Sequence, residues 1–336
     1  MFKVFQSIFG GGERKGAAYP PALVEAAIDR ALDATDPRIR AVSGHRKRLQ
    51  PAVIHAIDHV VALVEAMPAP VEASAASYGS DARLSSFFAS TDRMAEVFGA
   101  DRALIEFLAS AGDPGTGPIL AVLFVERSEK KVLGMAVQGD QVMQEVSQVQ
   151  VSFDKHRLVD PSATEEELRK KLRHRAFDHL LSMALTRIVE VGNEREALEQ
   201  SQSMLRAKLR ALQSARFGFS EEGGENAEPA ALEAKLAEIE GKLAETGSGA
   251  TALPRHLELL VESLAAAEKQ LYAEPVTVLM DRLGIRQGTP GPTTVELQLR
   301  ELHNAVGHAV VSLPVAIPRS EIRKRDIEAE VRRALL

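Results

Sequence analysis

The chain has no cysteine in its 336 residues, which excludes disulfides, thiol nucleophiles and thiolate metal sites together. It has no tryptophan, and aromatic residues make up only 4%. So few rings leave little for a base-stacking platform or an aromatic sugar-binding surface. No run of 18 apolar residues occurs, so no transmembrane helix is expected. The opening MFKVFQSIFGGGERKG has neither the continuous apolar core nor the small-residue cleavage pattern of a secretory signal. A cytoplasmic location, of the bacterial type, is the resulting expectation. The net charge of −6 is mildly acidic, which disfavours a dedicated nucleic-acid binder, because phosphate contacts need a concentrated basic surface.

What the chain does have is a long polar–apolar helical pattern from about Ser162 to Ser214. Ser162 and Glu165 match an S-x-x-E capping box, and the acids Glu165, Glu166 and Glu167 complement a helix N-terminus. The apolar seam runs Leu168, Leu172, Ala176, Leu180, Ala184, Ile188, Val191, Leu198, Leu205, Leu209 and Leu212. From Ala184 its spacing alternates four and three, with Arg195 and Gln202 as polar breaks, which is a heptad register. About fifty residues span ~75 Å as one helix, with Gly192 able to bend it. A glycine-bearing turn follows at 214–229. Leu232, Leu236, Ile239 and Leu243, then Leu257, Leu260, Leu264, Ala267 and Leu271, repeat the pattern on the way back. The expectation is an antiparallel coiled-coil hairpin over 162–273.

On either side the periodicity is different. Residues 1–17 form a tail in which Phe2, Phe5 and Phe9 have helical spacing before three glycines. They read either as a docking or membrane tip or as a terminal segment folded onto the body. Residues 18–112 read as a helical region rich in phenylalanine. Residues 113–161 and 274–318 read as strands: Ile119–Val125, Val132–Val137 and Val149–Phe153 before the arm, with Ser128–Lys131 and Gly139-Asp140 as turns. After it, Val276–Met280, Val295–Leu299 and Val311–Ile317 follow, with Pro314 marking an edge strand or a bulge. A last helix is expected over 319–336. The predicted class is therefore α+β. A helical N-terminal layer packs on an antiparallel sheet of about six strands, with the hairpin inserted between the two halves of the sheet.

Candidate chemistry is sparse. His55 and His59 sit at i, i+4 on a predicted helix, the spacing at which two imidazoles share a metal. The zincin pattern needs a Glu where Ala56 stands, and two histidines beside an apolar stripe is the plainer reading. Arg169, Lys170, Lys171, Arg173 and Arg175 form a basic patch; three i, i+4 pairs with Glu165, Glu166 and Glu167 absorb part of it and leave Arg173 and Arg175 for a partner. Phe217 and Phe219 flank Gly218 in the turn of the hairpin, where they either anchor a partner or close the end of the coil. No catalytic motif, no cofactor and no small-molecule substrate is indicated. The expectation is a non-enzymatic scaffold or adaptor that binds a protein partner, or a second copy of itself, through the hairpin. The alternative is a peripheral membrane- or nucleic-acid-associated regulator using Phe2, Phe5 and Phe9 or the basic patch.

Overall fold

The computed structural model describes residues 19–110, 114–138, 141–215, 227–246, 252–291 and 294–322. In chain order the elements are α1 (Pro21–Ala34), a 3-10 turn (Pro37–Ala41), α2 (His45–Glu65), β1 (Val71–Glu72), α3 (Ala82–Phe87), α4 (Thr91–Ala100) and α5 (Arg102–Leu108). They continue with β2 (Ile119–Gln138), β3 (Gln141–Ser162), α6 (Glu165–Ala215), α7 (Ala227–Thr246), α8 (Ala252–Ala265), α9 (Ala267–Gln270), β4 (Leu271–Met280), β5 (Val295–Asn304) and β6 (Ala309–Ile317). The class is α+β, with a long helix lying in sequence between β3 and β4. Over the described residues the chain forms two compact units, Met1–His59 with Phe177–Ala267 and Val60–Ala176 with Glu268–Leu336. The segment 18–112 is thus shared: α1 and most of α2 belong with the long helices, α3–α5 with the sheet.

The sheet has the order β3-β2-β6-β5-β4, each neighbouring pair antiparallel, and β1 adds two parallel pairs to β6. These directions leave β3 and β4, at opposite edges, running parallel. The chain reverses after β4 in a turn held by the Asp281 carboxylate, which accepts from the backbone N–H groups of Leu283 and Ile285 at 2.9 Å. The returning segment bonds back to β4, Gln287 N donating to Leu279 O at 2.8 Å. It also bonds onward to β3, where Val151 N donates to Gly284 O and Arg286 N to Val149 O, both at 2.8 Å. The strap Gly284–Arg286 therefore bridges the two edges at one level and closes the sheet into a barrel there, shielding part of the edges an open sheet would present.

Closure requires curvature, and β3 supplies it. Its ladder with β2 slips by one residue at three places, between Leu120 and Val122, Phe124 and Glu126, and Gly134 and Ala136. The extra residue in each case lies beside a left-handed backbone at Asp160, Lys155 or Glu145, with φ of 52°, 54° and 59°. One-residue bulges of this kind bend and twist the strand that carries them.

Both faces of β2 are covered, which explains its unbroken apolar run. Ile119, Ala121, Leu123 and Val125 face a core shared with Val278, Leu297, Leu299, Val311, Leu313, Val315 and the phenylalanines Phe87, Phe88, Phe98 and Phe107 of α3–α5 or their flanks. Leu120, Val122 and Phe124 face Val64, Met67, Leu168 and Leu172. Each such side chain contributes ~1.5–3 kcal/mol when fully buried. Asp101 fastens the helices to the sheet with both oxygens: Oδ1 caps α5 by accepting from Leu104 N at 3.0 Å, and Oδ2 accepts from Leu158 N of β3 at 2.8 Å.

Several sequence expectations are corrected. Ser128–Lys131 is not a turn but the middle of β2, paired with Val149–Ser152, so two strands of 20 and 22 residues replace the three short ones. Ser162 does not cap α6, because β3 runs on through it and its Oγ donates to Asp160 O at 2.8 Å. Thr164 caps instead, accepting from Glu167 N at 3.2 Å while Glu167 accepts from Ala163 N. Pro314 lies in a strand paired on both sides, not at an edge; it is tolerated because the β5 ladder on β6 ends at Val311. β4 begins at Leu271, well before Val276, and passes through Pro275, which an edge position of the ladder allows. The helix expected at 319–336 lies outside the described residues beyond a 3-10 turn at Arg319–Glu321.

Gly284 tests the closure. Its φ of +76° is strained for any side chain, and a Cβ there would stand 2.9 Å from Val151 O. Gly284→Ala is expected to lower unfolding free energy by ~1–3 kcal/mol, read as a reduced urea midpoint. Gly79→Ala, where a Cβ meets nothing within 4 Å, serves as the control with little change.

Candidate functional site

The long hairpin is the most distinctive feature available for function. α6 runs unbroken through Gly192 for 51 residues, ~75 Å at 1.5 Å per residue. Burial along it follows the heptad spacing read from the sequence: Ile188 is buried, Val191, Arg195, Leu198, Gln202 and Leu205 are half-buried, and Leu209 is buried again. On α7 the same four-three spacing recurs at Leu232, Leu236, Ile239 and Leu243. On α8, Leu257, Leu260 and Leu264 are buried. The direction follows from ion pairs between the helices. Arg187 pairs with Glu262 at 3.1 Å, while farther along α6 Arg206 pairs with Glu240 at 2.7 Å and Gln202 donates to it at 3.2 Å. Partner numbers fall as the α6 numbers rise, so the return path is antiparallel. The helices also carry intrahelical pairs such as Arg195–Glu199 and Lys242–Glu238, and Met204 is 74% exposed.

The residues selected from sequence fall in three places. Phe217 and Phe219, and Phe2, Phe5 and Phe9, lie outside the described residues. The basic patch is drawn into the fold. Arg169 pairs with Glu165 and donates to Val64 O at 2.8 Å and Met67 O at 3.3 Å, so its guanidinium caps the C-terminus of α2. Arg300 does the same at Leu63 O, 2.7 Å, and burial lowers its pKa. Lys171 pairs with Glu167 and donates to Pro161 O. Arg173 pairs with Glu65, and Arg175 makes a two-bond fork with Asp160 at 2.7 Å. The two arginines set aside for a partner thus also serve as struts between α6 and its neighbours. His55 is exposed and His59 half-buried on α2, and the intervening Asp58 accepts from Tyr19 at 2.6 Å. Among the described residues no group of three or more His, Cys, Asp or Glu is placed to hold a metal.

Two charged clusters had no sequence signal. Where the inner face of β2 leaves the apolar core, Arg127 donates to Glu301 of β5 at 2.5 and 3.3 Å and to Glu129, and Arg286 of the strap donates to Glu129 at 2.8 Å. Glu301 is only 5% exposed. Its hydrogen bond raises the Arg127 pKa above the ordinary arginine value, against the opposing effect of burial. His303 stacks on Tyr272 with centroids 5.1 Å apart and lies 3.7 Å from Glu301. Two positive and two negative groups are matched, so the cluster acts as a clamp across the barrel. The second cluster ties α8 to the segment after α1. Asp36 accepts from Arg38 Nε and Nη2 at 2.9 Å and from Arg38 N at 3.0 Å, and it also contacts His256 Nδ1 at 2.8 Å. The Arg38 hydrogen bond, opposed by burial and aided by His256, holds the Asp36 carboxyl at about 2. Neither cluster was legible because partners are 174 and 220 residues apart.

Compared with known proteins, the chain matches no family model, no curated protein and no solved structure. The geometry stands as the sole guide to function.

Two measurements test these clusters. Arg127→Met leaves the Glu301 carboxylate buried without its main partner and is expected to cost ~3–5 kcal/mol. Arg127→Met/Glu301→Leu should recover most of that loss, with urea midpoints of the single and double variants giving the coupling. For Asp36 the folded pKa lies below the ordinary 3.8, so its contribution is fully present above that value and is lost as pH falls through about 2. The gap in melting temperature between wild type and Asp36→Asn should hold from pH 6 to pH 4 and close towards pH 2.

Proposed function

We propose that this protein is a non-enzymatic scaffold or adaptor, working in the cytoplasm, that binds a protein partner through its helical hairpin as a coiled-coil arm. The observation that carries the reading is the period-3.5 burial over Ile188–Leu209, repeated on the return helix at Leu232–Leu243. A side-chain period of this kind is what coiled-coil seams require. Arg206 and Gln202 of α6 reach Glu240 of the return helix, which favours a partner on the outer faces or the turn over a second copy completing the seam. The described parts of α6 and α7 also carry charged groups engaged in short-range pairs on their own helices, as a solvated arm does. Support for the membrane or nucleic-acid alternative weakens at the basic patch, where Arg169, Lys171, Arg173 and Arg175 each have acidic partners in the fold.

The test is co-purification with identification by mass spectrometry, using wild type, Phe217→Ala/Phe219→Ala, and an arm shortened by one heptad in each helix (residues 199–205 and 236–242 removed). Removing whole heptads keeps the seam in register, so folding is expected to persist, checked by circular dichroism and melting. A partner held by wild type and lost from the shortened arm is the expected result. Equal capture by all three proteins sinks the arm as the binding surface.

A further inference from the structure

We infer that the hairpin contains a built-in joint at residues 192–198 of α6, so that its outer half yields as a unit relative to its base. Four features coincide there. The first is the level at which the return path changes helix. Counting ten residues outward from the Arg187–Glu262 pair brings the start of α8, Ala252, opposite Ala197. Counting six residues inward from Glu240, which faces Gln202 and Arg206, brings the end of α7, Thr246, opposite Leu198. The described ends of the two return helices thus lie at the same height, and α6 runs unbroken across it.

The second feature is Gly192 itself. It sits inside α6, and a Cβ at this position would meet nothing within 4 Å. No close approach demands a glycine, yet glycine is among the weakest helix formers. The third is Arg195, a charged residue on the seam that bonds to Glu199 of its own helix through Nε at 2.8 Å and Nη2 at 2.7 Å. The fourth is the burial profile. The seam is buried at the base, at Ala184, Ile188, Leu257, Leu260 and Leu264, and again at the outer end, at Leu209 and Leu232. Between them Val191, Arg195, Leu198, Gln202 and Leu205 are only half-buried. Helices this long are held by packing far more than by propensity, so the least packed stretch, containing the glycine and opposite the helix ends, opens first.

Hydrogen–deuterium exchange on the full chain tests this directly. Amides of 192–198 are expected to exchange faster than those of 180–187 and 205–210. Gly192→Ala should slow them about four- to fivefold, the equivalent of the ~0.8–1.0 kcal/mol helix preference of Ala over Gly, with the base and outer end unchanged. Arg195→Leu should act in the same direction by restoring an apolar seam position. The absence of native cysteine allows a second reading: spin labels at Ser182 and Ser203 should give a distance distribution that narrows in Gly192→Ala. Uniform protection along 180–210 in wild type, or exchange and distance width both unmoved by Gly192→Ala, overturns the joint. Neither readout needs a binding partner, so the result is independent of whether the arm is a binding surface.

Discussion

The constraint on which the sheet depends is the pairing of its two outer strands. The ladder directions put β3 and β4 parallel at opposite edges, and a parallel pair would need its own register of slanted bonds. The chain instead reverses within a few residues of Met280 and lays Gly284–Arg286 antiparallel against β3. One short strap thereby links both edges. Everything that positions the strap serves this: the Asp281 turn, the positive φ of Gly284, and the salt bridge from Arg286 to Glu129. The bulges at Asp160, Lys155 and Glu145 do the complementary work on the far strand, because a flat β3 would not curve to meet the strap.

Closing a barrel creates an inside, and the inside of this one changes character along its length. Four β2 positions facing inward are apolar, and the next two are Arg127 and Glu129. The same switch occurs on β5, from Leu297 and Leu299 to Glu301 and His303. Charges in such a place are tolerable only when matched and hydrogen-bonded. Here they are, and the Arg127–Glu301 fork reaches over the intervening β6. The cluster ties β2 to β5 and, through Arg286, to the closing strap, so it reinforces the closure that the backbone begins.

How much of this was readable in the sequence depends on the range of the cause. Local periodicity revealed the α+β class, the long helix between β3 and β4 and the alternation of Leu297 and Leu299. Features set by distant partners did not show. Ser128–Lys131 looks like a turn because its residues are polar, yet polar residues suit a strand whose Glu129 meets Arg286, 157 residues away. Pro275 looks like a boundary because its freedom to sit in β4 comes from the ladder position and not from its neighbours. Left-handed bulge positions announce themselves when occupied by Gly or Asn; Lys155 and Glu145 give no such sign. Of the candidate site residues, Arg173 and Arg175 pair with Glu65 and Asp160, contacts that did not show because these partners are not neighbours in sequence.

The hairpin follows a different logic from the barrel. In the barrel a charge off the surface is matched at once; in the hairpin the polar seam residues Arg195 and Gln202 are satisfied by carboxylates at the rim, Glu199 and Glu240, with little burial. Polar seam residues lower stability while fixing register, and register matters most where the return path is made of two helices instead of one. Gln202 bonds to the outer return helix, holding it in step with α6 beyond the change of helix. Arg195 lies on the inner side of that change and pairs with Glu199 of its own helix. A device that fixes the outer half in register while leaving the stretch beside it loosely packed keeps an arm straight in its parts and yielding between them.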